Sequence, residues 1–310
     1  MVAAEKVIMT KELIAEQYQQ IQDEICAGLE QLDGKEHFVE ELWQRDGGGG
    51  GRSRVIQNGA IFEKGGVNFS RVEGQLPETI KNALKVEQQD FFATGVSIVI
   101  HPNHPLVPII HMNIRYFEME SGKAGKPAMK WFGGGIDLTP HYVFEDDARF
   151  FHSKLKAVCD DFGGDAYHRF KVWADDYFYI KHRHETRGIG GIFYDRLTAT
   201  DEHSWDDIFT FSKAVGRSFL PIYTELVNRN RNKPFTEAQQ EWQYQRRSRY
   251  AEFNLVYDAG TKFGLETNGR IESILMSLPP QARWLYNYQA APGSEEEKTL
   301  GLLKKGINWV

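Results

Sequence analysis

The chain has 310 residues, 41% of them hydrophobic, and a net charge of −6 at pH 7. This length is enough for one large domain or two smaller ones with a substantial core, and the acidic balance argues against a nucleic-acid partner. No apolar run approaches 18 residues, so the sequence predicts no membrane span.

The N-terminal segment predicts an amphipathic helix over about residues 10–32. Its apolar residues recur at helical spacing: Ile14, Tyr18, Ile21, Ile25, Leu29 and Leu32. Early acidic residues and the lack of a continuous apolar stretch fit neither a signal peptide nor a transit peptide.

Five consecutive glycines, Gly47–Gly51, follow this helix and precede Arg52 and Arg54. The run lacks the spacing of a dinucleotide fingerprint and the GK[ST] of a phosphate loop. Two interpretations stay open, a flexible connector or a mobile flap over about residues 46–54 that carries both arginines over an anionic ligand.

Two segments with alternating polarity, Thr94–His101 and His111–Glu118, predict strands. A strand that buries one face usually has simple solvated side chains on the other. Here the polar sides instead carry a hydroxyl, two imidazoles, an amide and a guanidinium. We therefore expect a pocket that collects these strand residues together with an acid farther along the chain, namely Ser97, His101, His111, Asn113, Arg115 and Asp137.

The segment KWFGGGIDLTP, residues 130–140, places three glycines before Asp137 and a predicted helix start at Thr139 and Pro140. Helices are then expected from about Phe144 to Phe162, from Tyr167 to Ile180, from Trp205 to Asn228 with Pro221 kinking or ending it, and from a capping box at Thr236 and Gln239 to about Arg249. Residues 188–195 are expected to form a strand or tight turn. Strands are expected again over Glu252–Tyr257, Lys262–Thr267 and Arg270–Ser277, with a hairpin at Asn268 and Gly269. Hairpin strands interleaved with helices predict a single α+β domain with a mostly antiparallel sheet.

Two cysteines, Cys26 and Cys159, lie far apart without a CxxC motif. A disulfide framework, a cysteine zinc site and an iron–sulfur cluster are therefore not expected, and a reducing cytoplasm is the default compartment.

The histidines and Asp137 each have two interpretations. His101, His111, His152 and His182 could assemble a metal site, but no two of them have HxH or HExxH spacing. Asp137 is either a turn or capping residue or a proton acceptor in the pocket. In the pocket, Trp131 and Phe132 would raise its pKa and Arg115 would lower it.

Basic residues cluster around the Gly-rich and polar segments, although each one alone has the surface as its simplest explanation. Arg115 and Arg270 are the exceptions, because each follows a pocket-type sequence. Several guanidinium groups would hold a polycarboxylate with large hydrophobic rings.

These segments together resemble oxygen-dependent coproporphyrinogen III oxidase. The resemblance runs from about Trp43 to Tyr288 and rests on QRDGGGGGRSRVIQNGAIFEKGGVNFS, HMNIRYFE, WFGGGIDLTP, RGIGGIFYD, EFNLVYDAG and FGLETNGRIESILMSLPP. It implies a homodimer with helices on both faces of a large antiparallel sheet and dimerisation through about residues 250–285. It also implies oxidative decarboxylation of two propionates of coproporphyrinogen III by dioxygen, which gives protoporphyrinogen IX, CO2 and H2O2 for haem or chlorophyll.

The resemblance also implies residue roles. His111 is expected to be a proton donor, and Asp137 and Arg115 are expected to hold and deprotonate a pyrrole N–H. Substrate binding is implied for Ser97, Asn113, Ile114, Arg115, Asn268, Gly269 and Arg270. A divalent metal is implied, as a disputed role, for His101, His111, His152 and His182, and no required cofactor is expected.

One departure from the family pattern falls at Ala259, where the family typically has arginine. From the strand predicted just before it, we expect the missing guanidinium to affect stability and dimerisation. Two other classes stay open: a non-catalytic tetrapyrrole carrier, and a histidine-metal oxygenase or hydrolase.

Overall fold

A computed structural model describes residues 9–76, 81, 90–119, 129–266 and 269–310 of the chain. Its helices and strands are, in chain order, α1 (Lys11–Asp33), β1 (Val39–Gln44), β2 (Gly49–Gln57), β3 (Phe62–Gln75), β4 (Asp90–Pro102), β5 (Ile109–Met119), β6 (Met129–Thr139), α2 (Glu145–Phe162), α3 (Ala166–Tyr177), β7 (Tyr179–Ile180), β8 (Glu185–Thr186), β9 (Gly191–Leu197), α4 (Trp205–Asn230), α5 (Glu237–Val256), α6 (Ala259–Glu266), α7 (Ile271–Leu275) and α8 (Glu295–Leu302).

A seven-stranded antiparallel sheet organises the molecule, in the order β1-β2-β3-β4-β5-β6-β9. Six of these strands follow one another as a meander, and β9 joins beside β6 after two helices. The short strands β7 and β8 pair separately. The prediction of an α+β domain built on a large antiparallel sheet is confirmed.

The two faces of the sheet differ in chemistry because neighbouring strands keep the same alternation. One face presents residues such as Ile98, Met112, Ile114 and Ile136, all fully buried in the main core. Helices α1, α2 and α4 contribute the facing apolar side chains of that core. The opposite face carries Ser97 and its polar neighbours, and α5, α6 and α7 lie over it. Helices therefore cover both faces, as expected.

Local capping signals place two of the helices. The Thr10 side chain accepts a hydrogen bond from the Leu13 N–H at the start of α1. Thr236 and Gln239 form the predicted capping box at the start of α5. Helix α4 continues through Pro221 to Asn230, so the proline does not end it. None of the helices in the described ranges is long and apolar enough to cross a membrane.

The strands predicted after Arg249 are wrong. Helix α5 continues to Val256, and α6 and α7 occupy the segments predicted to pair as a hairpin. The alternation of Phe253, Leu255 and Tyr257 suggested a strand, but Tyr250, Phe253 and Asn254 also continue the buried stripe of the capped helix. The longer helical period therefore prevails over a short alternating stretch.

The glycine run at residues 47–51 is neither a connector nor a flap. It turns the β1–β2 hairpin and continues into β2, where Gly51 pairs with Trp43. A Cβ on Gly51 would lie 2.3 Å from the Trp43 ring, so the indole requires a glycine there. Arg52 and Arg54 bind Asp23 of α1 at 2.6 and 2.8 Å, which holds both side chains away from the polar face.

Candidate active site

A cavity of about 770 Å³ lies between the polar face of the sheet and the helices above it. Strands β4, β5, β6 and β9 form its floor, and α3 and the segment from α5 to the residues after α7 form its walls. Strand pairing aligns Ser97 with Asn113 and His111 with Asp137, which places these side chains on one face. Of the six residues expected in one pocket, Ser97, His111, Asn113 and Arg115 line this cavity, whereas His101 and Asp137 are buried and do not.

A buried ion pair supports the imidazole of His111. Arg187 donates from Nε to Asp137 Oδ2 at 3.0 Å and from Nη2 to Oδ1 at 2.8 Å. His111 Nδ1 donates to Asp137 Oδ1 at 2.7 Å. The side chains of Asp137 and Arg187 are only 1% and 2% exposed, whereas that of His111 is 20% exposed. The histidine therefore faces the cavity with Asp137 behind it, and Arg187 reaches the cavity lining with very little exposure.

Electrostatics keep this pair charged. Burial alone would raise the pKa of Asp137, but the Arg187 charge and the His111 hydrogen bond lower it below its usual value. Burial would likewise lower the pKa of Arg187, but the Asp137 charge outweighs that effect and raises it. Because Nδ1 is held by Asp137, Nε2 is the ring nitrogen of His111 left to exchange a proton with a ligand.

Asp137 is neither a turn residue nor a helix cap. Strand β6 includes the three glycines and runs through Asp137 to Thr139. Helix α2 begins only at Glu145. Its two oxygens are occupied by Arg187 and His111, so its first task is to orient the imidazole. Arg187, and not Arg115, is the cation that lowers its pKa.

Arg115 forms a second, more open polar group. It donates from Nη1 to Asn113 Oδ1 at 2.9 Å and from Nη2 to Asp195 Oδ1 at 2.7 Å. A Cβ on Gly133 would lie 2.7 Å from the same Asp195 oxygen and 2.8 Å from Arg115 Nε. The glycines of β6 therefore give a guanidinium room to lie across the strand.

The other residues expected to bind substrate are spread out. The side chain of Ile114 points into the core on the opposite face, because it follows Asn113 by one residue in a strand. Asn268 lies outside the described residues. The Gly269 N–H donates to the Gly264 carbonyl. Arg270 donates to Ser273 Oγ at 3.0 Å and forms an ion pair with Glu41 beside the cavity.

The four histidines considered for a metal do not converge. His101 donates from Nε2 to the Ser277 carbonyl, and His152 from Nε2 to the Ile189 carbonyl, both while fully buried. His182 binds Glu252 and Tyr257 at the molecular surface. Within the described ranges, no group of three or more His, Cys, Asp or Glu side chains could hold a metal ion. The four histidines therefore do not fit a shared metal site.

Sequence reasoning missed several groups that line the cavity. The sequence pattern assigns every basic residue except Arg115 and Arg270 to the surface, so it does not identify Arg187, and it gives no separate signal for Asp195. The walls add Tyr177, Tyr250, Asn254 and Asp258. The alternation of Phe193 and Asp195 in GIFYD would have indicated the cavity side of β9, whereas helix residues from distant segments gave no local signal.

Together these features define an enzyme site, a large polar and aromatic cavity with a carboxylate-oriented imidazole placed for proton transfer. A family model described as coproporphyrinogen III oxidase matches residues 13–309. An oxygen-dependent coproporphyrinogen-III oxidase of Prochlorococcus marinus (strain MIT 9312) is 47% identical over 94% of this chain and 90% of its own length. The enzyme of the same name from Synechococcus sp. (strain CC9605) is 48% identical over 94% of this chain and 85% of its own. The chain belongs to the coproporphyrinogen III oxidase family.

Proposed function

We propose that this chain catalyses the oxygen-dependent oxidative decarboxylation of two propionates of coproporphyrinogen III. Each turnover converts one propionate and one dioxygen into a vinyl group, CO2 and H2O2, and the second gives protoporphyrinogen IX. The observation that carries the proposal is the carboxylate-oriented His111 in a large cavity that also holds Arg115, in a chain that matches the family over nearly its full length.

The site suits a reaction in which the substrate itself reduces dioxygen. A pyrrole that loses its N–H proton is electron-rich enough to reduce dioxygen and bind it as a peroxide on a ring carbon, and this peroxide takes the β-proton of the neighbouring propionate. The C–O bond then breaks to release H2O2. The electron pair of the departing carboxylate forms the vinyl double bond as CO2 leaves and the pyrrole nitrogen is reprotonated. His111 is the group placed to accept and return the proton, since Asp137 is held by the ion pair. The protein supplies orientation, proton transfer and protection from water.

The test measures turnover of coproporphyrinogen III in air and under strict anaerobiosis, with no added cofactor. We expect vinyl product and H2O2 in equal amounts, only in air. His111→Gln should lower kcat by at least about a hundredfold, the low end for loss of an acid–base group. His168→Gln is the matched control, because His168 is exposed on α3 and outside the cavity.

The same assay separates the alternatives. A tetrapyrrole carrier would bind the substrate without releasing H2O2. A histidine-metal oxygenase would lose activity with a chelator and regain it with metal. Anaerobic turnover equal to that in air would overturn the proposed reaction.

The proposal includes a homodimer that works in the cytoplasm. Large apolar side chains stay exposed in the region implied for dimerisation, with Leu255, Leu265 and Ile271 exposed by 47, 43 and 59%. Exposed apolar surface is a common feature of subunit contacts. Light scattering should give twice the mass of the chain, and Ile271→Glu should lower it toward the monomer. A monomeric wild-type protein at micromolar concentration would refute the dimer.

A further inference from the structure

A second cavity of about 510 Å³ adjoins the first on the same face of the sheet. The two share a border that includes Ser97, Asn113, Arg115 and Asp195. Phe117 and Trp131 lie on its other side, with their rings stacked 4.2 Å apart. The second cavity thus continues the first across the strands and offers a flat aromatic surface.

A β-bulge in β9 adds a cation to this cavity. Phe132 pairs with Leu197 and Gly134 pairs with Tyr194, so Asp195 and Arg196 together face Gly133 alone. Regular alternation would place the Arg196 side chain on the opposite face of the sheet, and the bulge turns it back. Both Asp195 and Arg196 therefore line the second cavity. Arg196 has a φ of 50°, a conformation that costs energy for a residue with a side chain and is concentrated at functional sites.

Charge pairing distinguishes Arg196 from the other arginines of the two cavities. Arg187 is neutralised by Asp137, and Arg115 by Asp195. Arg196 is exposed, and among the described residues no carboxylate forms an ion pair with it. Its guanidinium carbon lies 5.8 Å from the centre of the Trp131 ring. Its hydrogen-bond donors are therefore available to an anionic ligand.

We propose that the second cavity is a carboxylate subsite, in which Arg196 binds a propionate of the ring system whose reacting part lies beside His111. The inference rests on the proposed function. His111 and Arg115 lie four residues apart on β5, which corresponds to about 13 Å along the strand. A multi-ring substrate bridges that distance, with one pyrrole over the stacked rings of Phe117 and Trp131. Arg196 is thereby a positioning residue remote from the chemistry.

Steady-state kinetics of Arg196→Gln test the subsite. Glutamine keeps much of the aliphatic part of the side chain but removes the charge. It has the same energetic cost as arginine at the positive φ of residue 196. We expect KM for coproporphyrinogen III to rise about tenfold. This is a small effect for the loss of a guanidinium–carboxylate contact, because the cavity is open to solvent. The kcat should stay within about twofold, and KM should depend less on salt. Arg196→Lys should recover part of the loss.

Arg169→Gln is the matched control. Arg169 is also exposed and lies over an aromatic ring, Phe170 at 5.6 Å, but it lines neither cavity. Unchanged KM and kcat are expected for it. If Arg196→Gln instead lowered the melting temperature and left KM unchanged, the guanidinium would merely support Trp131 and the proposed subsite would be refuted.

Equilibrium binding separates this inference from the proposed reaction. Fluorescence titration uses coproporphyrin III, the stable oxidised tetracarboxylate, and its tetramethyl ester. A tenfold loss for the acid but not for the ester in Arg196→Gln supports the subsite even if turnover fails. Normal turnover with unchanged binding of the acid refutes the subsite alone. No binding of the acid by the wild-type protein refutes both.

Discussion

Replacing Asp137 with asparagine leaves the Arg187 guanidinium buried without its carboxylate. Arg187 is 2% exposed and directs two hydrogen bonds at Asp137. Removing one partner of a buried ion pair costs about 3–5 kcal/mol, because the remaining charge stays in a poorly solvating environment. Asp137→Asn should therefore destabilise the fold by about that amount and also lower kcat, since His111 loses the negative charge that orients its ring and stabilises its protonated form.

Three variants isolate the contribution of charge burial. Asp195→Asn makes the same chemical change in an ion pair that is about one-third exposed, so its cost should stay below about 1 kcal/mol. Arg187→Gln alone should resemble Asp137→Asn in stability. The double variant of Asp137 and Arg187 should be more stable than the sum of the single effects predicts, because no unpaired charge remains. Its kcat should stay low.

Urea denaturation across pH is the assay. The pKa of Asp137 is lowered in the folded chain, whereas an unfolded aspartate has a pKa of about 3.9. Its contribution to the free energy of unfolding is thus fully present above about pH 4 and is lost as pH falls through the folded pKa. In Asp137→Asn, this decrease in the free energy of unfolding at acidic pH should be absent. Equal unfolding midpoints for Asp137→Asn and Asp195→Asn at neutral pH would refute the reasoning.

Three further outcomes are expected. Ala259→Arg should lower KM for the tetracarboxylate, because Ala259 is exposed on the cavity wall. The free energy of unfolding should change by less than about 1 kcal/mol. A changed unfolding midpoint with constant KM would instead support the stability role expected from the sequence. Gly133→Ala should raise KM several-fold by pushing Asp195 out of its ion pair, which substrate titration would detect. Chelation should leave kcat unchanged. His152→Ala should lower the melting temperature more than His182→Ala, since only His152 is buried. If elemental analysis found one metal per chain, and both variants lost it, the structural role of these histidines would be contradicted.

Local alternation predicted the chemistry of β4 and β5 because each strand has one face in the core. The same rule failed after Arg249, where a short alternating stretch ends a long helix. The sequence pattern points to Asp137, but its partner Arg187 lies 50 positions away, and the fold around the β6–β9 pairing brings the two together. Arg196 could not have been predicted, because a bulge changes which face a residue occupies without altering the polarity pattern.

The segregation of the sheet into two faces has a consequence for how this chain tolerates change. Along β5, the side chains of His111, Asn113 and Arg115 face the cavity, while those of Met112, Ile114 and Tyr116 pack in the core. A saturation scan of the strand should alternate residue by residue between lost turnover and lost abundance in the cell. Substrate preference can therefore drift through every second position while the intervening ones preserve the scaffold.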